Sequence, residues 1–153
     1  MANTFSQIML HFVFTPRHRE ALIDSSFKER LHRYITGIVE GKRHKMLAIN
    51  SMPDHIHMLI GLDPYEAPAD LVRDIKSDST LFVNDNHLSR FKFQWQEGYG
   101  VFSYSRSQRD DVIRYIMEQE VHHKKRTFRE EYLAILKKFD IEFEDNYLFE
   151  FFE

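Results

Sequence analysis

Cysteine is absent from this 153-residue chain. No disulfide framework and no thiolate metal site can form, so any bound metal must draw on histidine, carboxylate or amide ligands. Long apolar runs are also missing: none approaches the ~20 residues needed to cross a bilayer. The opening Met1-Ala2-Asn3-Thr4 lacks a signal-peptide pattern, so a cytoplasmic setting without a membrane partner is expected. There are no internal repeats and no low-complexity stretches. Basic residues are lacking only at the end, where residues 140–153 hold six acids and no Lys or Arg. The formal charge of −3 is therefore uneven, and residues 1–139 carry 21 basic against 18 acidic residues. Basic clusters at Arg17-His18-Arg19, Lys42-Arg43-His44-Lys45 and His122-His123-Lys124-Lys125-Arg126 are candidate phosphate contacts.

A hydrophobic content of 42% with 14% aromatics fits one globular domain over residues 1–153. Residues 6–14 alternate, with Ile8, Leu10, Phe12 and Phe14 on one side of a half-buried strand. A helix is expected over about 25–40, carrying Phe27, Leu31, Ile35 and Val39 at helical spacing, with an Asp24 or Ser25 cap and Gly41 at its end. Strands over 45–51 and 55–62 flank a Met52-Pro53-Asp54 turn. A second helix spans 69–83, a polar linker 84–90, and an interrupted strand 93–105. A third helix covers 107–122 after a Ser105 or Ser107 cap, and Thr127 with Glu130 forms a capping box for a fourth, to about 138. This order predicts an α+β, ferredoxin-like antiparallel sheet with helices on one face and further C-terminal helices. The other sheet face is expected to be open.

His55-Ile56-His57 lies in the second of the paired strands. Alternation puts both imidazoles on one side and Ile56, Met58 and Ile60 on the other. The histidines should therefore share the open face, outside the core, as two ligands of one divalent metal. On the third helix, Tyr115 and Gln119 are four residues apart and occupy one face.

Together these segments resemble the single-tyrosine HUH transposases of the insertion sequence 200/605 type. The resemblance rests on Met52-Pro53-Asp54-His55-Ile56-His57, Gln94 to Ser103, Tyr115-Ile116 with Gln119, His122-His123, and Phe128-Arg129-Glu130-Glu131. It covers nearly the whole chain and extends to domesticated relatives that act on repeated palindromic (REP) elements. It implies a ferredoxin-like fold, a homodimer, His55, His57 and Gln119 as metal ligands, and Tyr115 as the nucleophile. Mg²⁺ or Mn²⁺ would be the cofactor, with open positions for water and a phosphate oxygen. The substrate would be single-stranded DNA, beside a hairpin, cut through a 5′-phosphotyrosine intermediate. The tyrosine pKa is expected to fall under the influence of the metal and nearby cations.

Other residues have a bland and a sharp reading. His122 and His123 are read as structural, at a helix end where the dipole favours cations. His11 is read as a satisfied structural histidine that could line the open sheet near the metal. Lys76 and Ser77 resemble a stretch the family uses near DNA. Trp95 and Tyr99 could stack on bases but pack by default. Asp54 could accept an imidazole N–H behind the metal ligands. The apolar residues of the tail, Tyr147 to Phe152, should pack on their own domain or on a partner subunit. Two further function classes fit the fold: a catalytically silent nucleic-acid-binding module, and a replication initiator or relaxase-type nickase.

Overall fold

The computed structural model describes residues 3–152. β1 (Met9–Phe14), α1 (Lys28–Gly41), β2 (Lys45–Met52), β3 (His55–Gly61), α2 (Pro68–Asp85) and β4 (Gly100–Tyr104) follow in that order. The strands form one antiparallel sheet, ordered β2-β3-β1-β4. This is the ferredoxin-like order. The interrupted strand shrinks to β4; residue Trp95 makes only an isolated bridge to Pro16. Asp24 does not cap α1; it accepts the Ser26 amide in a turn before the helix.

Phe12, Phe14, Ile56, Met58 and Ile60 share one sheet face and bury against Leu31, Ile35 and Val39 of α1 and Leu71, Val72 and Ile75 of α2. Burial of such side chains contributes roughly 1.5–3 kcal/mol each. Trp95 also belongs to this core. Its ring packs edge-on against Phe14 and Phe93, and its Nε1–H donates to Ser79 Oγ at 2.9 Å.

The opposite face is not open. α3 (Arg109–Met117), α4 (Gln119–His122) and α5 (Phe128–Lys138) lie along it. Val112 and Ile116 of α3 cover Met9, Ala48 and Leu59. The aromatic rings of Tyr132 and Phe139 cover Phe102. Gly100 is required where α5 crosses β4, because a Cβ there would stand 2.7 Å from the Tyr132 hydroxyl. The alternation of β3 was a sound guide to which residues share a face. It carried no information on what covers that face, because the cover comes from helices that begin only at Arg109, far beyond β3 in the chain.

The expected continuous third helix is broken at Glu118. Asn50, on the covered face of β2, donates its amide to the carbonyls of Ile116 and Met117 at 3.0 and 3.3 Å. Those carbonyls need no helical N–H, so the chain can turn there. The capping box at Thr127 is present, with Glu130 reaching back to the Thr127 amide. The tail packs on its own domain: Phe149 is buried beside Tyr132, and Gln96 both donates to and accepts from the Glu150 backbone at 2.8 Å. Among the described residues no helix is long and apolar enough to cross a membrane.

His32 of α1 is buried against Ser51, with Nε2 2.8 Å from Oγ. Burial, with Lys28 nearby, lowers its pKa from 6.5 to about 4. The unfolded chain therefore takes up a proton below pH 6.5 that the folded chain refuses until about pH 4. Stability is fully present above pH 6.5 and falls as pH drops through that window, by ~3 kcal/mol from this group. Urea unfolding at pH 7 and pH 4.5 should show a smaller acid loss in His32→Gln than in wild type; an equal loss would locate the sensitivity elsewhere.

Candidate active site

The covered sheet face places His55 and His57 at 0% exposure, beneath α3–α5. Their expected position outside the core is thus corrected. Glu131 of α5, also at 0% exposure, completes the cluster: His55, His57 and Glu131 each offer a ligand atom, all within 4.8 Å of one another. Nε2 of His57 lies 3.1 Å and Nε2 of His55 3.5 Å from Glu131 Oε1. Gln119 stands beside this trio, its Oε1 3.1 Å from His55 Nε2 and its Nε2 3.2 Å from Glu131 Oε2. The residue expected as third ligand therefore lies at the cluster, and a carboxylate that sequence reasoning missed is there with it. The missed signal was position. Glu131 falls on the stripe of Phe128, Tyr132, Ile135 and Leu136, where only apolar residues are expected.

The donor set suits a divalent cation. Asp54 Oδ1 is 2.7 Å from His55 Nδ1, so that nitrogen donates to it. Nε2 of His55 is the atom turned to the cluster, where it faces the oxygens of Gln119 and Glu131. Electron pairs converging on one buried point need a proton or a cation between them. Two imidazoles and a carboxylate, with an amide oxygen beside them, are a donor set for a divalent metal ion.

The carboxylate of Glu131 is shared between two sides. Oε1 faces the histidines, while Oε2 accepts a short hydrogen bond from the Tyr115 hydroxyl. The Tyr115 ring stands edge-on to His57 with centroids 6.0 Å apart, and His122 stacks on it at 4.8 Å. His123 also enters the site, with Nε2 3.0 Å from Gln119 Oε1 and 3.1 Å from Glu131 Oε1. The end of α4 and the turn after it thus bring both histidines against the cluster, His122 onto the Tyr115 ring and His123 onto Glu131. His11 lies behind His57 and is not satisfied, since its Nδ1 has no partner among the described residues.

Charge is distributed unevenly here. Burial pushes His11 well below the usual imidazole range and lowers His57 too, although the Glu131 carboxylate opposes the shift on both. Burial would raise Glu131, but its bonds to His123 and His57 outweigh that and hold it low. His123 moves the other way, because Glu131 outweighs the burial that would lower it. Burial, then the adjacent Glu131 charge, raises the Tyr115 phenol. The expected lowering belongs to a site with its metal bound; here burial first, and the Glu131 charge second, set the direction.

Two clefts flank the cluster. One, of about 430 Å³, runs past Asp54 and His123 along Lys124, Lys125, Arg126 and Arg129 to Phe151. The other, of about 420 Å³, reaches Tyr115 past Tyr104, Gln108 and Lys138. Lys76 is remote from both. Its ammonium donates to the carbonyls of Gln96 and Gly98 at 2.7 and 2.6 Å, so it holds a loop. Burial lowers its pKa to about 8.

Replacing Glu131 with Gln keeps its shape and removes the charge beside the phenol. Tyr115 should then ionise at lower pH in the metal-free protein, followed by ¹³C-tyrosine NMR. An unchanged titration would mean that burial alone holds the proton.

The chain matches the family described as "Transposase IS200 like" over residues 4–119. It is 23% identical over 118 residues to the ISDra2 transposase TnpA of Deinococcus radiodurans, covering 74% of this chain and 84% of that one. It is 23% identical over 127 residues to the transposase for insertion sequence element IS200 of Salmonella typhimurium, covering 78% and 84%. Among solved structures it resembles a transposase from Deinococcus radiodurans R1, with a TM-score of 0.60 and 22% identity over 78% of this chain and 95% of that one. It also resembles a REP-associated tyrosine transposase bound to a REP hairpin, with a TM-score of 0.59 and 17% identity over 80% and 73%.

Proposed function

The chain belongs to the IS200-like transposase family, and on that premise we propose that it is a metal-dependent endonuclease and strand transferase for single-stranded DNA that acts through a phosphotyrosine. The observation that carries this reading is the shared carboxylate. Glu131 joins the candidate metal ligands His55 and His57 on one oxygen to the hydroxyl of Tyr115 on the other. A DNA-binding module without chemistry has no need of a half-buried tyrosine held against two histidines.

We assign Tyr115 as nucleophile, with His55, His57, Glu131 and Gln119 as the residues that would hold Mg²⁺ or Mn²⁺. When bound, the cation would polarise the scissile phosphodiester and offset the charge of Glu131. Glu131 Oε2 already accepts the phenolic hydrogen and is placed to take it as the Tyr115 oxygen attacks phosphorus. The P–O3′ bond breaks with its electron pair on the 3′-oxygen, which takes a proton from water, leaving a 5′-phosphotyrosine and a 3′-hydroxyl, with one phosphodiester exchanged for another. Arg126, whose Nη2 is 3.5 Å from the Tyr115 hydroxyl, is placed to meet the phosphate charge. His123 and the basic cleft beside it would receive the flanking strand.

A hairpin beside the cut and a two-fold homodimer belong to the same reading. The hairpin is supported by likeness to a fold solved with one. The homodimer is supported by the exposed Met117 and Val121 on the helices that frame the site.

Tyr115→Phe removes one oxygen. It should abolish a covalent protein–DNA adduct while leaving DNA affinity within about twofold, read by denaturing gels and mass spectrometry of a trapped complex. An adduct on another tyrosine, or cleavage without any adduct, would overturn the assignment.

The cluster at 42–45 divides. Lys42 and His44 are spent on Glu66 and Asp74, whereas Arg43 and Lys45 face a cleft of about 450 Å³ that Arg106 and Arg109 also line. Replacing Lys45, Arg106 and Arg109 together with Ala should lower the salt slope of single-strand binding by about 2, at ~0.7 per lost phosphate contact. An unchanged slope would remove this cleft from the DNA path.

A further inference from the structure

A ligating neutral imidazole presents a lone pair at one nitrogen, so its single proton sits on the other, and a neighbour must accept it. For His55 that acceptor is the Asp54 carboxylate. For His57 the atom facing Nδ1 is not a carboxylate or a carbonyl but Nε2 of His11, at 2.7 Å. His11 belongs to β1 and is fully buried. Its ring lies within 23° of parallel to that of His57, with centroids 5.0 Å apart, and the rings of Phe102 and Tyr104 stand 6.1 Å away. Its remaining nitrogen, Nδ1, has no partner among the described residues.

Two neutral imidazoles sharing one hydrogen bond have two arrangements. In the first, His11 donates from Nε2 and His57 accepts on Nδ1. The His57 proton is then on Nε2, pointing at Glu131 Oε1 3.1 Å away, and every N–H is satisfied. That His57 cannot bind a metal. In the second, His57 donates from Nδ1 and His11 accepts on Nε2. The His57 lone pair is freed toward Glu131 and His55, while the His11 proton is driven onto Nδ1, the unpartnered atom. Both arrangements hold the same number of protons; only their places differ. Without a cation the first arrangement is favoured, since the second leaves the His11 Nδ1–H without an acceptor. A cation on His57 Nε2 would reverse that order, because it occupies the lone pair the first arrangement protonates, and His11 Nε2 is the atom placed to accept the displaced proton.

We propose that His11 is a positioning residue for the metal centre: by accepting the Nδ1 proton of His57, it holds that ring in the tautomer whose Nε2 binds a divalent cation. The proposal rests on the reading of His55, His57 and Glu131 as a metal site. His11 does for His57 what Asp54 does for His55, with one difference. A neutral acceptor pulls less on the shared proton than a carboxylate does, so His57 should be the less basic of the two ligands. Packing against Phe102 and Tyr104 fixes the His11 ring, and its one hydrogen bond among the described residues is the one to His57.

Long-range ¹H–¹⁵N spectra of the histidine rings test this directly on the ¹⁵N-labelled wild-type protein loaded with Mg²⁺. His57 and His11 should both be protonated at Nδ1; either ring protonated at Nε2 would overturn the proposal. Mn²⁺ affinity, measured by electron paramagnetic resonance, gives a second reading. His11→Phe keeps a buried ring without an acceptor and should weaken binding about 10- to 100-fold, the range for loss of a ligand's supporting partner. His11→Gln, whose amide oxygen can accept, should recover most of that loss. A folded His11→Phe that binds Mn²⁺ as wild type does, or a Gln variant no better than Phe, would also overturn it. If His11→Phe fails to fold, the wild-type spectra decide. A folded wild-type protein that takes up neither Mg²⁺ nor Mn²⁺ would instead refute the metal site itself, a result distinct from normal uptake that ignores His11.

Discussion

A buried carboxylate is tolerated only when its charge is met from several sides, and Glu131 imposes that condition on the C-terminal half of this molecule. His57, His123, Gln119 and Tyr115 all direct a polar atom at it. Those four residues come from β3, from the turn after α4, from α4 and from α3. Removing any one leaves the others beside a less compensated charge. The course of α3–α5 follows: Asn50 ends α3 where Gln119 must turn inward, and the Thr127 capping box starts α5 so that its fourth residue reaches the histidines.

The same carboxylate explains why much of the site was hidden from a reading of residues in order. Period-two alternation in His55-Ile56-His57-Met58 identified the shared face, and a four-residue interval paired Tyr115 with Gln119. Those signals are local. Glu131 acts across 74 residues from His57, and no periodicity in α5 distinguishes an acid that faces water from one that faces a histidine. The stripe itself was the sole hint, since an acid among Phe128, Tyr132 and Ile135 must be buried or must break the stripe. His11 was hidden for the same reason. Its partner lies on the neighbouring strand, 46 positions away.

The fold was easier to read because its first two-thirds is built from strongly patterned elements. β1, α1, β2, β3 and α2 each carry an apolar face at the right period, and their order admits few sheets. What failed was the inference from pattern to exposure. A face with two histidines, an asparagine and an alanine reads as half-polar and hence wet. Here most of the polar atoms meet other buried polar atoms, and the face is covered.

Arg126 lines both clefts that flank the site. The basic channel on the Asp54 side and the pocket that opens on Tyr115 therefore share one guanidinium, which also lies 3.5 Å from the Tyr115 hydroxyl. A single substitution there alters the charge of both compartments at once, so the two cannot be tuned independently through this position.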